Sequence, residues 1–190
     1  MKNLTYTLTA ILLLLGTTQL LAQVDDATQK AWMEYMTPGA PHKKLAEMTG
    51  NWSTHMTAWH APGTDPMKSE GTCTNSMLYG GRFLETAFKG DFMGEPFEGR
   101  GYMAYDNARK LFISTWFDNM GTGIMTLQGK FDPTGNTIVL AGEMVDPAVN
   151  KTCQVKEVYT IVGPNEHKME MFRVDNGKEQ KDMEIIFKRK

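Results

Sequence analysis

The chain has 190 residues, 41% of them hydrophobic, and a formal charge of −2 from 20 basic and 22 acidic side chains. That length suits one domain with a well-buried core and is short for two. No lysine or arginine run exceeds three residues, too little counter-charge for a phosphate backbone, so nucleic acid is not an expected partner, and no apolar run reaches the roughly 20 residues of a membrane helix, so no integral membrane association is expected.

Residues Met1 to Ala22 have the form of a removable export signal: Lys2, an apolar stretch from Ala10 to Leu15, and Leu20-Leu21-Ala22 before Gln23. Cleavage after Ala22 leaves 168 residues with a charge of about −3, and predicts a soluble periplasmic or secreted protein. A lipoprotein would carry a cysteine where Gln23 stands, so no lipid anchor is expected. Residues 23–50 read as an N-terminal helical cap. Asp25-Asp26 opens a helix through Met36 with Trp32, Met33 and Met36 on one face, and Thr37-Pro38-Gly39 ends it. A second turn starts at Pro41, puts Leu45 and Met48 on one side and stops at Thr49-Gly50.

From residue 51 to 190 the pattern changes to short alternating segments. Asn51 to Trp59 alternates Trp52, Thr54, Met56 and Ala58 against polar neighbours. Met67 to Tyr79 and Arg82 to Gly90 flank Gly80-Gly81, whose freedom at positive φ predicts a tight hairpin. Phe97 to Tyr105, Leu111 to Phe117, Ile124 to Phe131, Thr137 to Val145, Thr152 to Ile161, Lys168 to Val174 and Met183 to Lys188 complete the series, separated by Gly, Pro, Asn and Asp turns. With no helix between the strands, a parallel α/β sheet is excluded. The expected fold is all-β: an antiparallel up-and-down barrel of about ten strands with short N-terminal helices, wide enough for a small ligand or tightly filled by its own side chains.

Gly50-Asn51-Trp52 at the first strand, the meander and the terminal Lys188-Arg189-Lys190 resemble the calycins, which include lipocalins and fatty-acid-binding proteins. If the last strand closes on the first, Arg189 falls beside Trp52 and stacks on its ring. A closer resemblance is to the bacterial family called domain of unknown function 1579. It rests on His42-Lys43-Lys44-Leu45, Gly50-Asn51-Trp52, Gly99-Arg100-Gly101 leading to Tyr105-Asp106, Trp116-Phe117-Asp118-Asn119-Met120-Gly121-Thr122-Gly123, and Met183-Glu184-Ile185. Ala104 departs from the glycine expected before Tyr-Asp. The resemblance implies fold and export and transfers no catalytic residue.

Charges on apolar strand faces are the local clues to a site. Glu157 shares a face with Cys153, Val155, Tyr159 and Ile161, Arg173 with Met169 and Met171, and Glu85 with Phe83 and Ala87. One reading makes Arg173 the anchor of a ligand carboxylate or phosphate inside the barrel, tuned by Glu157 and Glu85. The other makes these residues structural ion pairs or solvated strand ends. Trp116 is placed as a rim residue gating a ligand, with turn chemistry from Asp118, Asn119, Gly121 and Gly123 as the other reading of that segment, and Met171 and Tyr105 as wall residues of the same pocket. Gly99 and Gly101 share a face and predict a bend.

Only four histidines are present, and they form no ligand cluster, so neither zinc nor haem is expected and no cofactor is assigned. Methionines are numerous, and thioethers bind copper(I), but their scatter fits an adaptable core. Cys73 and Cys153 are an even pair in an oxidising compartment, yet they fall on strands that are not neighbours in a meander. A bridge and two free thiols both stand as readings. No nucleophile elbow or acid–base pair appears. The leading expectation is therefore non-covalent binding of a small hydrophobic or amphipathic molecule. A filled barrel acting as an interaction module, with a possible homodimer, is the alternative, followed by a small-molecule enzyme.

Overall fold

A computed structural model describes residues 25–190 except 61, 62 and 148. The expected export signal lies outside the described residues. The chain divides into two units, residues 1–36 and 37–190. In the first, helix α1 (Asp26–Met36) is opened by Asp25, whose carboxylate accepts the Thr28 N–H at 2.8 Å. None of its residues is buried.

In the second unit, helix α2 (Ala40–Ala46) precedes ten strands: β1 (Gly50–Ala58), β2 (Met67–Leu78), β3 (Phe83–Phe92), β4 (Glu95–Asp106), β5 (Leu111–Asp118), β6 (Met125–Phe131), β7 (Thr137–Asp146), β8 (Lys151–Gly163), β9 (Glu166–Asp175) and β10 (Lys178–Arg189). Each strand pairs antiparallel with its chain neighbours, and β1 pairs with β10, closing an up-and-down barrel. Period-two alternation sends one face of each strand inward. In β1 those residues are Trp52, Thr54 and Met56, as the sequence alternation predicts.

The barrel end at the start of β1 is plugged. Pro41 fits the first turn of α2, and His42 Nδ1 accepts the Gly39 N–H at 3.0 Å, fixing how the chain enters the helix. The other His42 nitrogen donates to the Tyr105 carbonyl, and burial lowers the pKa of the ring. Leu45 is fully buried, and with Met48 it packs on Leu84, Phe112, Leu127 and Leu140 from the barrel wall. Asn75 adds a buried tie, its Nδ2 donating to the Met48 carbonyl at 2.9 Å. Trp52 donates from Nε1 to the same carbonyl at 3.0 Å. Trp52 and Arg189 are direct partners in the closing ladder, and the guanidinium lies 4.2 Å from the indole centroid, the expected stack.

Two local features differ from the sequence expectations, and the structure decides a third that the sequence left open. Strand β10 begins five residues before Met183, because Lys178 to Asp182 are polar but paired. Lys181 reaches Glu170 and Glu184, Lys156 reaches Glu179, and a bulge at Asp182 absorbs the change in register. Gly99 and Gly101 provide room rather than a bend: a Cβ at Gly99 would lie 2.2 Å from the Trp116 ring, and one at Gly101 3.0 Å from it. Both cysteines are free thiols on β2 and β8, with β1, β10 and β9 between them in the barrel order. Burial pushes the Cys73 thiol up to about 12, an unreactive state. The Gly80-Gly81 hairpin joins β2 to β3 as expected, and Tyr79 shares the positive φ of the two glycines.

Candidate functional site

Above the plug the barrel is hollow. A cavity of about 1010 Å³ extends from the middle of the barrel to the opposite end. Nine of its lining residues are methionines, and Phe88, Phe92, Phe97, Trp116, Tyr159 and Phe187 add aromatic surface. Thioether side chains have several rotatable bonds and a polarizable sulfur, so the wall adapts to guests of different outline.

The mouth is built by the segment Trp116 to Gly123. The Trp116 indole lies over Gly99 and Gly101, stacks on Phe97 with centroids 6.5 Å apart, and donates from Nε1 to Asp118 at 2.8 Å. The other Asp118 oxygen accepts the Met120 N–H at 3.0 Å. Asn119 accepts the Glu98 N–H and donates to the Pro96 carbonyl, which ties the turn to β4. Phe97 also meets Phe88 and Phe92, so four aromatic rings form one wall. The motif thus positions a rigid indole and leaves Met120 to Ile124 along the rim.

Half-way along β8, Glu157 faces inward and is 4% exposed. Its ladder partners are Leu140 on β7 and Met171 on β9. The Tyr159 hydroxyl donates to its carboxylate, and no ion pair to it exists among the described residues. Burial without a cation pushes Glu157 up to about 7, and the Tyr159 bond offsets only part of that. Nearer the plug, His167 stacks on Phe187 at 4.2 Å and meets the edge of Trp52 at 4.4 Å. Its Nδ1 is buried without a partner, and burial, reinforced by Arg189, lowers the ring to about 4.

Of the six residues singled out in the sequence, Trp116, Glu157 and Met171 line the cavity. Tyr105 faces inward at the plugged end, packed edge-on against His42 and Phe112, and is not in the cavity wall. Glu85 lies on the outer face, where Arg100 and the Tyr102 hydroxyl donate to it at 2.8 and 3.1 Å. Both faces of β3 carry apolar residues, Phe83 and Ala87 outside and Leu84 and Phe88 inside, so its alternation misleads. Arg173 is exposed near the end of β9 and pairs with Asp182 at 3.0 Å and Asp146 at 3.8 Å. Its partner Asp182 is supplied by the β10 bulge, which no period-two pattern announces. His167 and Ser114 are cavity residues that sequence reading missed, although each shares its inward parity with neighbours assigned to the core.

The sequence profile of the family described as "Protein of unknown function (DUF1579)" matches residues 37–189, which include α2 and the whole barrel. The chain belongs to that family. For this DUF1579 member, a comparison with curated proteins found no match. Among solved structures the barrel resembles Rv2717c from M. tuberculosis, at 18% identity over 80% of this chain and 99% of the other, with a TM-score of 0.59. It also resembles the S-type phycobiliprotein lyase CPES from Guillardia theta, at 9% identity over 84% and 96% of the two chains, with a TM-score of 0.57. At such identities the likeness is one of fold, a calycin-like barrel.

Proposed function

We propose that the protein binds a small hydrophobic or amphipathic molecule non-covalently inside the barrel. The observation that carries this reading is the cavity of about 1010 Å³, closed at one end by α2 and walled by thioethers and aromatic rings. Its size and character are those of sites that bury most of a small ligand and orient it through a few polar groups. The driving force is loss of water from ligand and wall, at roughly 25 cal/mol per Å² of apolar surface. Glu157, Ser114 and Asn75 are buried polar residues of the wall and would fix orientation.

Native mass spectrometry of the protein isolated from its own cells tests the reading. A stoichiometric adduct of small mass, released on denaturation, is the expected result. A cavity-filling variant, Met171→Trp, should lose the adduct while circular dichroism still reports a barrel. An adduct retained at full occupancy in that variant would place the ligand elsewhere and overturn the reading.

A further inference from the structure

The charged side chains along the cavity wall are acidic: Glu157 within, and Asp118 and Glu143 toward the mouth. No lysine or arginine contributes to the described lining. The arginine placed nearest in sequence to this role, Arg173, is held by Asp182 and Asp146 at the surface. The one base in the described lining, His167, is neutral near pH 7 because burial lowers it to about 4. A ligand carboxylate would bring a further negative charge beside Glu157 with no cation of the described lining to answer it, a costly arrangement against a largely apolar wall. A cation has the opposite effect.

We propose that the cavity is selective for amphipathic organic cations, with an apolar body against the methionine and aromatic wall and an ammonium-type head donating hydrogen bonds to the Glu157 carboxylate. The inference rests on the binding reading above and names its ligand class. Three features of the wall fit it. Glu157 is buried among Leu140, Val155 and Met171 with a single hydroxyl donor, so it has acceptor capacity left for a ligand. Tyr159 and Trp116 add aromatic rings to the wall, a lining with which an organic cation is compatible. Asp118 and Glu143 keep the approach negative, although their hydrogen bonds are already committed to Trp116, Met120 and Gln154.

The test is isothermal titration of the purified, delipidated protein at pH 8 with decylamine, decanol and decanoate, each below its micelle concentration. The three share a tail and differ in the charge of the head. Decylamine should bind about tenfold to a hundredfold more tightly than decanol, the range for a hydrogen bond to a charged group, with decanoate weakest. Glu157→Gln should bring decylamine down to the value of decanol in the same variant, whose fold is read separately by circular dichroism. A second readout needs no variant. At pH 7 amine binding should expel a proton from Glu157, making the measured heat depend on the ionisation enthalpy of the buffer. The nearby Tyr159 and Cys73 are both raised far above this pH and contribute no proton. Decanol binding with no preference for the amine, or a preference that survives Glu157→Gln, overturns the charge inference and leaves the binding reading in place. Failure of all three to bind overturns the binding reading itself.

Discussion

The two ends of the barrel each use a tryptophan, in opposite ways. Trp52 is 1% exposed, bonded to a main-chain carbonyl, covered by Arg189 and met by His167, so its environment is complete without any guest. Trp116 is half-buried; its N–H is answered by a side chain of the neighbouring turn, and one of its faces is seated on two glycines. The remaining ring surface belongs to the cavity. A residue whose contacts are all internal contributes stability, whereas one that leaves surface to an empty space stands ready to contribute affinity.

The largest effect expected from that contrast is on stability. Trp52→Ala should lose about 3–5 kcal/mol, the range for truncating a buried aromatic residue, read as a lowered urea midpoint. Trp116→Ala should cost about half of that or less, because the ring is not fully enclosed, yet weaken ligand binding more than Trp52→Ala does. Equal losses of stability from the two substitutions would erase the distinction between plug and wall.

The buried titratable groups sharpen the same comparison, because Glu157 lies midway along the cavity, His167 packs on Trp52, and their effects on stability have opposite sign. Glu157 is raised from 4.5 to about 7, so between those values the folded protein holds a proton that the unfolded chain has lost, and stability falls as pH rises. His167 is lowered from 6.5 to about 4, so between those values the unfolded chain holds the extra proton, and stability falls as pH drops. Each shift corresponds to about 3 kcal/mol across its window. From pH 4.5 to 6.5 the two slopes oppose, and the wild-type contribution from this pair is nearly flat. Glu157→Gln should expose the histidine alone: stability then declines below pH 6.5, while above pH 7 the variant exceeds wild type by up to about 3 kcal/mol. His167→Leu should expose the glutamate, with stability rising as pH falls from 7 to 4.5. Urea midpoints at half-unit pH steps for the three proteins check both signs. An unchanged profile in either variant would show that its group does not titrate as burial requires.

The barrel was legible because period-two alternation and turn residues are local signals. The ten segments and the Gly80-Gly81 hairpin follow from them, whereas the Arg189–Trp52 stack follows from closure of the last strand on the first. The cavity wall was legible only where a strand has one clear face, as in β8, where Glu157 falls among Val155, Tyr159 and Ile161. It was misread where both faces are apolar, as for Glu85 on β3, and where a bulge supplies a partner, as for Arg173 and Asp182. The function of Gly99 and Gly101 was hidden for another reason. Space for a ring is a relation between two strands, and β4 alone does not record that Trp116 on β5 needs it.

That relation yields the smallest of the expected effects and a direct control on the wall. Gly99 has no positive φ, so alanine is acceptable to its backbone, and any cost must come from the Cβ placed 2.2 Å from Trp116 Cζ2. The indole is held on the other sides by Phe97 and by the bond to Asp118, so relief requires the ring to tilt toward the cavity. Gly99→Ala should therefore cost about 1–3 kcal/mol, as overpacking does, and shrink the ligand space. Adding Trp116→Leu removes the atoms that clash, so the glycine substitution should become nearly neutral in that background, with a coupling of about 1 kcal/mol or more between the two sites. The decisive quantity is the difference between the two Gly99→Ala effects measured by urea unfolding. Simple additivity would mean that the glycine serves the backbone after all, because a bend costs the same whichever side chain lies above it.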